Sequence, residues 1–153
     1  MTSVVGLTDI SDEYLSITIG SKNTWNDWHL VPSSRLYVAP PEVKTEYIDI
    51  PGADGSLDFT GALNGLRYGN RTGSWDFIVA SGYGSPQAKY SEILNYLHGK
   101  KMTIILADDP LYYYIGRLTI SDFKSNKDHS SMTINYTIDP FKMLIEDPTV
   151  KIL

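Results

Sequence analysis

The sequence predicts a mainly β fold: an antiparallel β-sandwich or barrel-like sheet, with one packed α-helix and an extended β-hairpin arm. Three observations lead there. Apolar and polar residues alternate in several short runs, the mark of strands with one buried face. Turn chemistry punctuates these runs at close intervals, so successive strands return antiparallel. One stretch, Tyr90 to Leu97, instead places Tyr90, Ile93, Leu94 and Leu97 at i, i+3, i+4 and i+7, the spacing of a single helix face. An element with one apolar face must bury it, and a helix on a sheet does so.

Met1 to Asp12 has weak periodicity and reads as a flexible end or an arm. Tyr14 to Ile19 alternates Leu15, Ile17 and Ile19 against Ser16 and Thr18, a strand pattern. Gly20 to Asn23 is a turn, and the aromatic-rich piece from Trp25 to Val31 is either strand or loop. Arg35 to Val38 is compatible with a brief strand, which Pro40 and Pro41 then interrupt because proline has no N–H for a ladder. Val43 to Ile50 reads as a strand with two mixed faces, hence an edge strand or one side of a projecting hairpin. Pro51-Gly52 and Asp54-Gly55 fold its tip. Leu57 and Phe59 then alternate with Ser56 and Asp58, as in a half-buried strand. Gly61, Gly65, Gly69 and Gly73 leave no room for a long helix and read as a long ordered loop carrying Arg67, Tyr68, Asn70 and Arg71. A strand resumes at Trp75, with Trp75, Phe77 and Val79 on one face.

The helix has its own signals. Ser85 is a fitting N-cap, and Pro86 occupies the first helical position, where a missing N–H does no harm. Gly99 stops it, with Lys100 and Lys101 near the negative end of the dipole. Three strands follow. Met102 to Ala107 is nearly all apolar and therefore central. Tyr112 to Ile120 contains Gly116, a bulge or a point of close approach. Met132 to Ile138 alternates cleanly until Asp139-Pro140 ends it. Ser125 to Asp128 is a polar turn, and the apolar tail from Phe141 to Leu153 has to pack somewhere.

A length of 153 residues suits one domain, spanning 1–153. The absence of cysteine excludes disulfides and thiolate metal sites. No apolar run is long enough to span a membrane, and the first residues lack the pattern of a signal peptide. A net charge of −5 argues against generic binding to nucleic-acid phosphates.

Candidate chemistry is sparse. His29, His98 and His129 lack metal-ligand spacing, so no metal site is expected. Asp108 and Asp109 resemble a pair of catalytic acids, but adjacent acids before a proline are more often turn formers. Asp54-Gly55-Ser56 lacks the elbow and partners of a nucleophilic serine, and Gly82 to Pro86 lacks the Lys-Ser/Thr ending of a phosphate loop. No catalytic residue and no cofactor are expected, and the chain reads as a non-enzyme. Tyr112, Tyr113 and Tyr114 fit a core edge or an interface, or else the platform of a monomeric carbohydrate-binding β-sandwich.

The ordered set I-P-G-A-D-G-S-L-D-F (Ile50 to Phe59), Y-G-N-R-T-G-S-W-D-F (Tyr68 to Phe77), L-H-G-K (Leu97 to Lys100), Y-Y-Y-I-G-R (Tyr112 to Arg117) and I-D-P-F-K (Ile138 to Lys142) resembles the distal tail proteins of long, flexible, non-contractile-tailed bacteriophages. The pieces extend from about Pro41 to Lys142. The resemblance implies a structural tail-tip protein of the virion, made in the host cytoplasm. It implies a ring of six copies, joined on one side to the tail tube protein and on the other to the tip hub, with receptor-binding proteins held at its periphery. It implies neither sequence-specific nucleic-acid binding nor a membrane. Larger relatives carry a further carbohydrate-binding-like domain, and this chain stops at Leu153. A tail-tube-like subunit is the nearest alternative. An exposed strand edge invites pairing, and a closed ring covers it head-to-tail. The candidate subunit interface is therefore Val43, Glu46, Tyr47 and Ile48 on the arm, with Arg67, Tyr68 and Arg71 beside it.

Overall fold

The computed structural model describes residues 16–60, 65–126 and 129–153. The expectations for Met1 to Asp12, for Tyr14 and Leu15, for Gly61 and for Lys127-Asp128 lie outside these residues. In chain order the strands are β1 (Ile17–Ile19), β2 (Lys22–Asn23), β3 (Leu30–Pro32), β4 (Val43–Lys44), β5 (Tyr47–Asp49), β6 (Ser56–Asp58), β7 (Arg67–Tyr68), β8 (Arg71–Val79), β9 (Lys100–Leu106), β10 (Tyr112–Ser125), β11 (Ser130–Ile138), β12 (Lys142–Leu144) and β13 (Lys151–Ile152). Helix α1 (Pro86–Leu97) lies between β8 and β9.

The main sheet runs β2-β1-β9-β10-β11-β8-β3, antiparallel throughout. It curls into a half-barrel, the barrel-like form of the expected fold. Met102 to Leu106 is indeed interior, with β1 on one side and β10 on the other. Strand β12 pairs with the start of β10 and carries β13 outside it, so part of the apolar tail is placed. Ile145, Val150, Ile152 and Leu153 nevertheless stay exposed.

The core lies on one face. Ile17 and Ile19, Trp75, Phe77 and Val79, and Ile134, Tyr136 and Ile138 are buried in strict alternation, which is the two-residue period seen in the sequence. The other face carries Thr72, Ser74 and Asp76 opposite Thr137, Asn135 and Thr133, a polar surface. Gly116 is a point of close approach: a Cβ there would lie 2.6 Å from the Thr137 carbonyl oxygen and 2.7 Å from Ile138 Cα. The bulge lies further on, where the register of β10 against β11 shifts between Ile120 and Asp122. The extra residue changes the phase. Phe123, not Asp122, then turns inward opposite Met132, and stacks on Tyr90 of the helix at 4.4 Å. The strand therefore continues to Ser125, past the Ile120 end expected from simple alternation.

The helix forms as the sequence predicts. Ser85 accepts a hydrogen bond from the Ala88 amide, and Pro86 is at the start. Ile93 and Leu97 are fully buried, with Tyr90 and Leu94 packed at the rim of the core. Gly99 leaves the helix at φ +77°, and Lys100 donates to the Asn95 carbonyl in the last turn. The Tyr96 hydroxyl donates to the Ile19 carbonyl and accepts from the Ser21 amide, tying the helix to the β1–β2 turn.

Candidate functional site: a projecting ribbon and its root

Val43 to Ile50 is not one continuous strand. It splits into β4, paired with β7, and β5, paired with β6. Val43 lies opposite Tyr68, Lys44 opposite Arg67, Tyr47 opposite Asp58 and Ile48 opposite Leu57. Between the two pairs, the Phe59 amide donates to the Glu46 carbonyl and the Glu46 amide donates to Thr60 Oγ1. The result is a two-storey ribbon that pairs with no strand of the main sheet. Arg67 and Tyr68 are thus in a short strand, not in the long loop expected from the glycines. Gly52 and Gly55, at φ +83° and +71°, fold the tip, where only glycine adopts such angles without strain. Hydrogen bonds from the Thr60 side chain and backbone hold the Asp58 carboxyl below its usual range.

Both faces of the ribbon are open. Leu57 and Phe59 were expected to be half-buried, yet both are exposed, as are Val43, Tyr47, Ile48, Ile50 and Leu66. Seven of the sixteen exposed large apolar side chains among the described residues therefore sit on this one element. Single exposed apolar residues are ordinary, whereas a concentration of them marks an interaction surface. Among the described residues, no side chain of β5 or β6 belongs to the core cluster or packs against it.

The root of the ribbon is tied to the body by side-chain bonds. Arg71, only 5% exposed, donates from Nε to the Pro140 carbonyl (3.0 Å) and from Nη1 to the Ala39 carbonyl (3.2 Å), with its guanidinium over the Tyr114 ring. Its role in the chain is thus internal, and it joins β8 to the residues that enter the ribbon. Tyr136 Oη accepts from the Ala39 amide, and Trp75 Nε1 donates to the Tyr37 carbonyl. Arg35 to Val38, a brief strand by its sequence, pairs with no strand; it is fastened instead by side chains of β8 and β11, which bond the Tyr37 carbonyl and both backbone groups of Ala39 just after it. The Trp75 and Tyr136 rings stack at 4.5 Å, and burial pushes the Tyr136 phenol above its usual range. The Gly69 amide donates to the Glu42 carbonyl, and Tyr68 meets Phe141 edge-on, completing the root.

The remaining candidates take structural places. Asp108 pairs with Arg35 and Asp109 with Lys142, so the two acids are held apart by different cations. Tyr114 is buried beneath Arg71, and Tyr112 and Tyr113 are half-buried, which leaves no open tyrosine platform there. His98 caps the helix and accepts from the Ile120 amide through Nδ1. His129 sits in the turn before β11, donating its backbone N–H to Asn126. Among the described residues no three metal-ligating side chains come together, and no helix is long and apolar enough to cross a membrane.

Sequence reasoning missed one cluster. His29, Trp25 and Tyr83 come together at the N-terminal end of α1, and Lys89 reaches beneath them. The aromatic residues were visible in the sequence, but nothing in it brings position 29 to position 83. That pairing follows from β3 lying against β8.

No protein-family model and no curated protein matches the chain. Among solved structures it is similar to the SPP1 Dit (gp 19.1) protein, described as a paradigm of hub adsorption apparatus in Gram-positive infecting phages. The TM-score is 0.58 at 20% identity, covering 84% of this chain and 51% of that one. This chain therefore shares the fold of that phage protein and spans about half its length.

Proposed function

We propose that this protein is a structural subunit of a phage tail tip that assembles head-to-tail into a closed ring, six copies being the expected number. The observation that carries the reading is the ribbon, an element with exposed apolar side chains on both faces whose strands pair, among the described residues, only with each other. Between β8 and β11 the other face of the sheet is lined by Thr72, Ser74, Asp76, Thr133, Asn135 and Thr137, a polar surface. In a head-to-tail ring each copy lays its ribbon on its neighbour, and rotation closes the set. Val43, Glu46, Tyr47, Ile48, Arg67 and Tyr68 then form the contact, while Arg71 holds the ribbon at its base. The fold likeness to a phage hub protein supports the same role. On this reading one side of the ring meets the tail tube and the other the tip hub, with receptor-binding proteins at the periphery, and the protein resides in the virion. It works as a connector and not as an enzyme. Six times −5 gives about −30 for the ring, a charge that discourages adhesion of passing DNA.

The test is the mass in solution by light scattering over rising concentration, with electron micrographs of the protein alone and with a tail-tube partner. Because assembly follows mass action, monomers at low concentration and rings at high concentration or on the tube are expected. Monomers under every condition would refute the ring.

A further inference from the structure

The cluster beside the helix N-terminus forms a cleft of about 290 Å³, lined by Asp27, His29, Tyr83, Ser85, Lys89 and Glu92 among others. It is far smaller in reach than an interface and belongs to neither the ribbon nor its root. Tyr83 stacks on His29 with ring centroids 3.8 Å apart, and Trp25 meets both rings edge-on at 5.4 and 6.0 Å. Lys89 Nζ lies 5.8 Å from the Tyr83 ring centroid. That nitrogen is shielded from solvent and has no hydrogen-bond partner among the described residues. Ser85 Oγ accepts from the Ala88 amide, which leaves its own proton to donate. Tyr83 sits between Gly82 and Gly84, at φ +87° and +102°, on the short turn that leads into the helix.

The chemistry of the lining selects the ligand. An apolar ligand would take the Asp27 and Glu92 carboxylates out of water without pairing them. An anion would meet the Asp27 and Glu92 carboxylates alongside the Lys89 charge, and so gains little. A neutral polyhydroxylated ring suits both halves of the cleft: its C–H face lies against aromatic surface, and its hydroxyls both donate and accept. Donors wait at Ser85 and Tyr83, and acceptors at Glu92, His29 and Asp27, whose Oδ2 already takes the Asn23 amide. The volume is at the small end of ligand pockets, so the occupant is a single ring and not an extended chain. We propose that this cleft binds one unit of a neutral saccharide. This inference does not depend on the ring assembly, and neither does its test.

The whole chain is titrated with glucose, galactose and N-acetylglucosamine, and in parallel with glucuronate and inorganic phosphate. The readouts are tryptophan fluorescence, where Trp25 is the half-exposed reporter beside buried Trp28 and Trp75, and amide chemical shifts. At least one neutral sugar is expected to bind saturably in the millimolar range, with shifts confined to residues near 25–29 and 82–92. Glu92→Gln lies on an exposed helix position and keeps the fold, and it should weaken binding about tenfold; Tyr83→Ala should do the same or more, and Tyr83→Phe less. The proposal is overturned if no neutral sugar perturbs these resonances up to roughly 100 mM. Preference for phosphate or glucuronate, or an affinity indifferent to both Glu92→Gln and Tyr83→Ala, would overturn it equally.

Discussion

Arg71 shows how much one side chain's surroundings decide. A guanidinium next to a tyrosine and a second arginine has the makings of an intersubunit contact. In the fold it is enclosed, bonded to two carbonyls and set over the Tyr114 ring. Hydrogen bonds to a charged group are worth about 1.5–3 kcal/mol, so Arg71→Met should speed amide exchange at Ala39 and Gly69 roughly tenfold or more. The amides of β9 to β11 should hardly change; unaltered rates at the root would show that Arg71 does not hold it. His29 offers a second residue-scale prediction. Burial, and then the Lys89 charge, push its imidazole below the usual 6.5, against an opposing pull from Asp27. The unfolded chain then binds the proton more readily. The stability from neutral His29 is therefore complete above pH 6.5 and is lost as the pH falls through the lowered folded value. Chemical shifts of the imidazole against pH should give a midpoint below 6.5, and Lys89→Gln should move it upward by removing the neighbouring charge. A midpoint that ignores that substitution would refute the coupling.

At the scale of elements, the helix and the ribbon behave oppositely. The helix is held by its stripe. Leu97 is wholly buried, and truncating a buried leucine costs about 2–5 kcal/mol, so Leu97→Ala should lower the denaturant midpoint clearly. Leu94 packs only at the rim and should cost less, an ordering that follows from the depth of each residue. Equal small effects in urea melts would mean that the stripe does not anchor the helix. Lys89 lies off the stripe, yet its amine is shielded, so Lys89→Ala is not a neutral control for these melts. The ribbon has no such anchor along its length. Its strands hold each other by backbone bonds and cross-strand pairs, and its apolar side chains are absent from the core formed by the described residues. An isolated two-stranded hairpin is marginal in water, which is itself a reason to expect a partner.

For the whole molecule, this separation predicts that assembly can be removed without unfolding the body. Replacing Val43 to Phe59 by a short Gly-Ser linker should abolish rings in micrographs and leave the far-ultraviolet spectrum and cooperative melting of the sheet and helix. Rings that survive the replacement would move the interface elsewhere on the body. Loss of cooperative melting would show that the ribbon belongs to the folding unit after all.

What the sequence determined by itself was whatever depends on neighbours along the chain. The period-two strands around Ile17, Phe77 and Ile134, the capped helix from Pro86 to Leu97 and the hairpin tip at Gly52 and Gly55 all follow from local spacing and backbone preference. The tight approach at Gly116 was marked by the missing side chain, although only the fold shows that the Thr137–Ile138 backbone fills the space. Tertiary structure alone decided the rest, because it rests on contacts between residues far apart in sequence. It split Val43 to Ile50 into two paired storeys, and in place of a strand at Arg35 to Val38 it set bonds from Trp75 to Tyr37 and from Arg71 and Tyr136 to Ala39. It also brought Lys89 beneath Tyr83 and His29. Alternation reports which residues seek burial; it carries no record of which distant backbone or side chain will meet them.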